Sequence, residues 1–345
     1  MNFTRNIVSI ETTVKRSLEI LNELDNLILF VVSMGKLVGT LTDGDIRRRV
    51  LKNYNLDSDL STFMNPDFKY VKIGDSFNKN LEDFFCKGIY LIPLVDESMH
   101  IVKIIDLRTY KSFLPVDSVI MAGGRGIRLK PLTDNCPKPM LKVGGKPIIE
   151  FNIDRLASFG IHNVFLCINY LGEQIEDYFS DGKSKGLNIK YIKESQPLGT
   201  FGAISMIDNF QNENILICNS DLLTDIDYKM FFDAYKKSNA DMAIASIPYN
   251  VNIPYAVLES IESDVISFKE KPTYTYFSNA GIYLVKKELF NLIPSNEFFN
   301  ATDFIQLLLD SGKKVIKFPF YGYWLDIGRK EDFIKANLDI DQLKL

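Results

Sequence analysis

A chain of 345 residues with 46% apolar side chains is long enough for two or three domains, each with its own core. Its 40 basic and 44 acidic residues leave a formal net charge of −4, which excludes nucleic-acid binding through a broad basic surface but not a local cationic pocket. Two histidines, His100 and His162, and four cysteines without a Cys-x-x-Cys pair argue against structural zinc, a disulfide framework and imidazole-based chemistry.

Residues 1–14 contain no apolar h-region, so no signal peptide is expected, and the apolar stretch 27–32 is far too short to span a bilayer. A cytoplasmic setting is expected, with no membrane partner. Residues 8–10 and 14–21 read as a short strand and an amphipathic helix. Residues 29–32 and 37–41, joined by Met34-Gly35-Lys36, read as a β-hairpin, after which Thr42-Asp43-Gly44-Asp45 opens a helix. The pattern returns about 63 positions later, with a strand at 71–73, a helix at 77–85 and a hairpin from 92–95 and 101–105. One copy is too small to bury its own face, so the two copies are expected to pair.

The string from Gly35 to Arg47, GKLVGTLTDGDIR, is where this region most resembles a tandem CBS-domain pair. That resemblance implies a smaller α+β module over residues 1–114, a homodimer as the default assembly, and an adenosine nucleotide held at Thr42 and Asp45. Read from the residues alone, Thr42 is a helix N-cap with Asp45 as its N3 partner. In the second copy Lys103 stands for the glycine and Asp106 for the threonine, so at most one good nucleotide cleft is expected.

Phe113-Leu114-Pro115-Val116-Asp117 reads as a short linker, and from Ser118 the texture changes. Apolar runs at 119–121, 164–168, 189–192 and 215–218 alternate with helical patterns at 148–159, 174–179 and 201–210. This alternation predicts an α/β domain over 115–345, with a Rossmann-like, doubly wound, mostly parallel sheet. Ligands in such sheets sit at the carboxyl ends of the strands. The first strand there runs into Ala122-Gly123-Gly124-Arg125-Gly126-Ile127-Arg128 and on to Pro137-Lys138-Pro139. Glycines let backbone N–H groups approach an anion, and Arg128 and Lys138 add fixed positive charge, a combination suited to a triphosphate. A Walker loop is excluded because no Gly-Lys-Ser/Thr leads into a helix, and a dinucleotide fingerprint because Leu129 occupies its last glycine position.

Farther on, Asp221 and Asp326 each end an apolar strand. Mg2+ takes hard oxygen ligands, so two such carboxylates could share one ion, although either alone also suits a turn; Asp225 and Asp227 read only as turn or cap residues. The glycine string through Lys138 resembles the signature of the sugar-nucleotide pyrophosphorylases, or NTP-transferases, over residues 118 to about 340. The resemblance implies a GT-A-like nucleotidyltransferase fold, with Arg128 and Lys138 on the nucleotide phosphates and Arg125 at a variable position. It also implies Asn219-Ser220-Asp221 and Trp324-Leu325-Asp326-Ile327-Gly328 as Mg2+-binding segments, and catalysis by Arg128, Lys138 and Asp221. Nucleotide binding falls to Ala122, Gly123, Gly124 and Gly126, with Gln196, Gly199 and Thr200 in the loop that reads the base. Lys271 is implied on the sugar phosphate, with Glu270 and Asn279 on sugar hydroxyls. Ala256 stands where the family commonly has glycine, which puts the identity of the sugar in doubt.

The implied reaction joins a nucleoside triphosphate to a sugar 1-phosphate and releases pyrophosphate. The attacking phosphate oxygen is already ionised at neutral pH, so the scarcity of histidine is no obstacle. A CBS-like pair ahead of this catalytic domain resembles the guanylyltransferases most. It implies GTP with glucosamine 1-phosphate, in legionaminic acid synthesis; mannose- and heptose-1-phosphate guanylyltransferases are alternatives, and another nucleotide-sugar pyrophosphorylase, with cytidylyl, uridylyl or thymidylyl transfer, stays open. No fused acetyltransferase is expected after Leu345. A rival reading of another class is a nucleotide sensor with an inactive transferase-like domain, against which Lys138, Asp221, Lys271 and Asp326 all argue.

Overall fold

The computed structural model describes residues 3–24, 27–72 and 77–343, in two compact units, residues 1–110 and 111–345. In the first unit β1 (Ile7–Ser9) is followed by α1 (Val14–Asn22), β2 (Ile28–Ser33), β3 (Lys36–Thr42) and α2 (Asp43–Val50). Thr13 caps α1 by accepting the Arg16 N–H at 3.2 Å, and the helix buries Val14, Ser17 and Leu21. β1 pairs in parallel with β2, which turns back through Met34 and Gly35, both at positive φ, into antiparallel β3. The second copy repeats this with β4 (Val71–Lys72), α3 (Phe77–Cys86), β5 (Leu91–Val95) and β6 (Ile101–Asp106), again one parallel and one antiparallel pairing. Ile73, expected to end its first strand, lies outside the described residues. Phe30 and Leu37 of the first copy pack with Leu91, Val95 and Ile104 of the second, the joint burial that neither could achieve alone.

The second unit opens with β7 (Val116–Ala122), a small hairpin of β8 (Lys142–Val143) and β9 (Lys146–Pro147), α4 (Ile148–Ser158), β10 (Asn163–Ile168), α5 (Gly172–Phe179) and β11 (Asn188–Lys193). Then come β12 (Asn214–Asn219), β13 (Leu222–Thr224), α6 (Tyr228–Ser238), β14 (Met242–Asn252), β15 (Val257–Ile261), β16 (Asp264–Lys269) and β17 (Thr273–Lys286). The unit closes with α7 (Ala301–Asp310), β18 (Val315–Pro319), β19 (Trp324–Asp326) and α8 (Lys330–Asp339). Its main sheet has seven strands in the order β11-β10-β7-β12-β17-β14-β18. All pairings are parallel except those of β17, which runs antiparallel to both neighbours.

Side chains alternate across a strand, and here successive residues enter different cores. Ile120, Leu166 and Leu216 pack with Ile153 of α4 and Phe231 of α6, whereas Val119, Phe165 and Ile217 pack with Phe304 of α7. Both faces are therefore covered, which is why these strands read as unbroken apolar runs. Among the described residues no helix is long and apolar enough to cross a membrane.

Two expectations are corrected. The helix expected over 201–210 shrinks to a single 3-10 turn, Gly202–Met206. There the backbone N–H groups of Phe201 and Gly202 donate to the Phe299 carbonyl, at 2.9 and 3.0 Å, a tertiary contact that overrides the helical pattern. The segment expected as a linker is part of the second unit. Lys111 and Leu114 donate to the carbonyls of Ser158 and Phe159, and Val116 and Asp117 begin β7.

Candidate functional site

At the carboxyl ends of β7 and β12 lies a cleft of about 560 Å³. One wall is the segment after β7. Gly126 has φ +60°, and a Cβ there would stand 3.0 Å from the Cβ of Lys138 and from Thr133 Cγ2, so glycine both permits the turn and lets Lys138 close on the loop. Thr133 Oγ1 donates to the Gly126 carbonyl at 2.9 Å. Tyr170 Oη and Gln174 Nε2 donate to carbonyls at Asp134 and Asn135, tying the segment down before Lys138. The lining includes Gly123, Gly124, Arg125, Gly126, Arg128 and Lys138, so the structure brings the glycines and both predicted cations into one cavity wall. Ala122 is buried at the end of β7 and is not among the cleft-lining residues.

The acids lie beside this glycine segment. β13 and β19 form a two-stranded antiparallel pair with Leu222 opposite Asp326, and Ile327 N–H donates to the Asp221 carbonyl at 3.1 Å. This pairing brings Asp221 and Asp326 to one place. Lys138 Nζ donates to Asp221 Oδ2 and lies 3.8 Å from Asp326 Oδ1. Burial, followed by the charge of Asp221, pushes the Asp326 carboxyl above its usual range, against the pull of Lys138 and Arg128. The guanidinium of Arg128 packs 3.3 Å from where a Cβ on Gly328 would be, so the glycine two residues after Asp326 makes room for it. Oδ1 of Asp221 and Oδ1 of Asp326 are both buried without a hydrogen-bond partner among the described residues. Two carboxylate oxygens without hydrogen bonds beside the glycine segment and Lys138 fit a hard divalent cation such as Mg2+, which takes one or two protein carboxylates and completes its shell elsewhere.

The third wall is the loop after β11. Gly199 has φ +77°, and its Cβ would stand 2.7 Å from the Phe299 carbonyl oxygen. Thr200 N–H donates to Asn300 Oδ1 at 3.3 Å, and Thr200 Oγ1 accepts the Ala301 N–H at 2.8 Å. Gly199 and Thr200 line the cleft, whereas Gln196 is exposed and donates to the Asn296 carbonyl at 3.2 Å.

Glu194 lines the cleft although sequence reasoning passed over it. Its Oε2 accepts the Leu198 N–H at 3.2 Å, and its Oε1 lies 2.8 Å from where a Cβ on Gly123 would be. Burial pushes its carboxyl above the usual range, with the Leu198 N–H pulling back. Its only sequence signal was its place at the end of a predicted strand. Phe298, also in the lining, had none.

The expected sugar end is not among the cleft-lining residues. Glu270 and Lys271 are exposed in the turn between β16 and β17, Lys271 at φ +43°. Asn279 lies eight positions farther along the chain, on β17, where its Nδ2 donates to Tyr283 Oη at 2.9 Å and its Oδ1 accepts the Gly281 N–H at 2.9 Å. In the first unit Thr42 and Asp45 form a complete capping box at the start of α2. Asp45 Oδ2 accepts from Thr42 N–H and Oγ1 at 3.0 and 2.6 Å, and Arg48 pairs with its other oxygen at 2.7 Å.

Residues 117–342 match the family model for nucleotidyl transferases. The mannose-1-phosphate guanylyltransferase of Mycobacterium tuberculosis is 32% identical over 233 residues, covering 65% of this chain and 64% of that relative. The D-glycero-alpha-D-manno-heptose 1-phosphate guanylyltransferase of Campylobacter jejuni is 35% identical over 222 residues, covering 63% of this chain and 97% of the relative. In structure, the chain is similar to HddC from Yersinia pseudotuberculosis, with a TM-score of 0.52 and 28% identity over 65% of this chain and 99% of that one. The chain thus spans less than two thirds of the mycobacterial relative and nearly all of the other two.

Proposed function

This chain belongs to the nucleotidyl transferase family, and from that premise we propose that it transfers a nucleotidyl group from a nucleoside triphosphate to a sugar 1-phosphate. The observation that carries the proposal is the convergence of the glycine loop, Lys138 and Asp221 in one cleft, with Asp326 brought within 3.8 Å of Lys138 beside it and a buried oxygen on each aspartate left without a hydrogen bond among the described residues. In the reaction, a sugar-phosphate oxygen attacks the α-phosphorus. The new P–O bond forms as the bond to the β-phosphate oxygen breaks, and pyrophosphate leaves opposite. Arg128 and Lys138 hold the triphosphate and offset charge growing on the transferred and leaving phosphates. The backbone at Gly123 and Gly124 donates to phosphate oxygens. Lys271, with Glu270 and Asn279, is assigned to the sugar phosphate and its hydroxyls. Asp221 and Asp326 would hold Mg2+, which when bound supplies Lewis-acid charge and a template for the phosphates.

GTP is the favoured donor. The two relatives described above carry guanylyltransferase names. A half-buried carboxylate such as Glu194 is also the acceptor that a guanine edge, with its N1–H and N2 amino donors, calls for. Glucosamine 1-phosphate is the favoured acceptor, in legionaminic acid or related surface-glycan synthesis; mannose 1-phosphate and heptose 1-phosphate are the alternatives. The first unit is proposed as a CBS-like module that pairs chains into a homodimer in the cytoplasm and takes an adenosine nucleotide near Thr42 and Asp45. Both residues are already paired in the capping box, so that ligand would have to displace or extend it.

The test is a panel of four nucleoside triphosphates against sugar 1-phosphates, read by pyrophosphate release, with Asp221→Asn and Asp326→Asn beside the wild type. GTP-dependent release that falls by orders of magnitude in both variants supports the reading. No release with any pair, or near wild-type and EDTA-sensitive release in both variants, refutes it.

A further inference from the structure

Phe298 is 65% exposed, although its neighbour Phe299 is drawn into the core beside Phe304 with ring centroids 6.5 Å apart. The Phe298 phenyl is thus left accessible on a segment whose next residue packs inward, and what sets it apart from other exposed apolar side chains is its place in the lining of the cleft. The backbone around it is not loose. Phe299 N–H donates to the Leu198 carbonyl at 2.9 Å, and the Phe299 carbonyl accepts from Phe201 and Gly202. Gln196 Nε2 reaches the Asn296 carbonyl, and the Thr200 hydroxyl holds the Ala301 N–H. The segment 296–301 is therefore laced along the whole loop 196–202. From this fixed wall Phe298 lines the cleft together with Pro197, Leu198 and Gly199, and with Gly123 and Gly124 of the glycine loop. Among the described residues it makes no ring contact.

We propose that Phe298 is the stacking platform for the nucleobase of the bound nucleoside triphosphate, an inference that rests on the nucleotidyl-transfer reading of this cleft. A flat π-face held open beside a phosphate cradle suits a purine or pyrimidine ring, whose faces carry no sequence information and whose edges do. The division of labour follows. The glycine loop and Lys138 take the phosphates, Glu194 and the neighbouring backbone take the base edge, and Phe298 takes the base face. Phe298 thus adds affinity without choosing among bases, while Glu194 chooses.

The experiment measures KM for the triphosphate and sugar 1-phosphate forward, and for nucleotide sugar and pyrophosphate in reverse, in Phe298→Ala, Phe298→Leu and Phe298→Tyr. Phe298→Ala is expected to raise KM for the triphosphate and for the nucleotide sugar about ten- to a hundredfold. KM for pyrophosphate and for sugar 1-phosphate, neither of which carries a base, should stay within about twofold. Phe298→Leu should show most of the loss, because it keeps apolar bulk without a ring, and Phe298→Tyr should restore affinity. The loss should be the same for every triphosphate the enzyme accepts. An unchanged triphosphate KM, a rise confined to sugar 1-phosphate, or an equal rise for pyrophosphate would each overturn the assignment while leaving the transferase reading standing. A wild-type chain that binds no nucleoside triphosphate by equilibrium dialysis would overturn both.

Discussion

Gly124→Ala separates what the glycine loop does for the fold from what it does for a ligand. A Cβ built on Gly124 meets nothing within 4 Å, and the residue is outside the left-handed region. Within the protein the change is therefore unstrained, and by removing freedom from the unfolded chain it should be neutral or stabilise by about 0.4–1 kcal/mol. Against an anion the same methyl stands where a phosphate oxygen must approach the backbone N–H. Losing one charge-assisted hydrogen bond costs about 1.5–3 kcal/mol, roughly ten- to a hundredfold in KM for the triphosphate. Gly199→Ala is the contrast. There φ is +77° and the new Cβ would lie 2.7 Å from the Phe299 oxygen, so the left-handed strain of about 1–2 kcal/mol adds to a displaced loop. The assay pairs thermal denaturation with initial rates in which triphosphate and sugar 1-phosphate are varied independently. Gly124→Ala should keep or raise Tm while weakening triphosphate and pyrophosphate alike, whereas Gly199→Ala should lower Tm as well. A Gly124→Ala enzyme with wild-type KM for both triphosphate and pyrophosphate would show that the loop is not the phosphate cradle.

Three further outcomes follow from the carboxylates. Burial holds the Glu194 carboxyl above its usual range, so it gains a proton on acidification earlier than an exposed glutamate. Its folded-state pKa is raised, so lowering pH through it favours the folded state but removes the acceptor for guanine; KM for GTP should rise on acidification in the wild type and lose that component in Glu194→Gln. At the far end of β7, Asp117 is fully buried and accepts from Gln211 N–H, Asn212 N–H, Asn212 Nδ2 and Asn163 Nδ2, at 2.5, 3.0, 2.6 and 3.1 Å. Asp117→Asn turns an amide donor toward those donors and should cost about 2–4 kcal/mol, several degrees or more in Tm, with kcat preserved at low temperature; Asp326→Asn should hold or raise Tm while turnover collapses.

The legible part of this protein was local. The run from Ala122 to Lys138 was legible because its glycines and cations lie within one short stretch, and the structure brings Gly123, Gly124, Gly126, Arg128 and Lys138 to one cleft. Unbroken apolar runs such as Ile215-Leu216-Ile217-Cys218 declared strands covered on both faces, and each residue enters a core. What the sequence withheld depends on contacts between distant segments. That Asp326 returns beside Asp221 is decided by the β13–β19 pair, two strands of three residues each, too short to leave a pattern. The helical periodicity of 201–210 was real but lost to the Phe299 carbonyl, because a Cβ on Gly202 would lie 2.5 Å from the Glu297 oxygen and the two segments are in backbone contact. The spacing of Glu270-Lys271 and Asn279 did not reveal that Thr273–Phe277 of β17, between them, pair with Asn252–Pro248 of β14. Phe298 carries no motif at all, since a single exposed aromatic becomes informative only when its surroundings are known.

Asp117, at the start of β7, and the pair Asp221 and Asp326, after β12 and at the end of β19, show the same side chain put to opposite uses. Asp117 is wholly buried yet costs little, because four donors satisfy the oxygens that desolvation exposes to risk. Asp221 and Asp326 each keep a buried oxygen without a hydrogen bond among the described residues, and they act on one another as like charges with Lys138 the nearest compensation. A fold selected only for stability would neutralise that pair or give it donors, as it does for Asp117. Leaving it unsatisfied stores a free-energy penalty at the point where a divalent cation and a polyanion would relieve it, so part of the binding energy is set by what the protein forgoes when folded alone. Neutralising an acid should therefore carry opposite signs at the two ends: a loss of Tm at Asp117 without loss of chemistry, and a loss of chemistry at Asp326 without loss of Tm. If Asp326→Asn instead destabilised the chain as much as Asp117→Asn does, the orphaned oxygens would be structural partners in disguise and the metal assignment would fall with them.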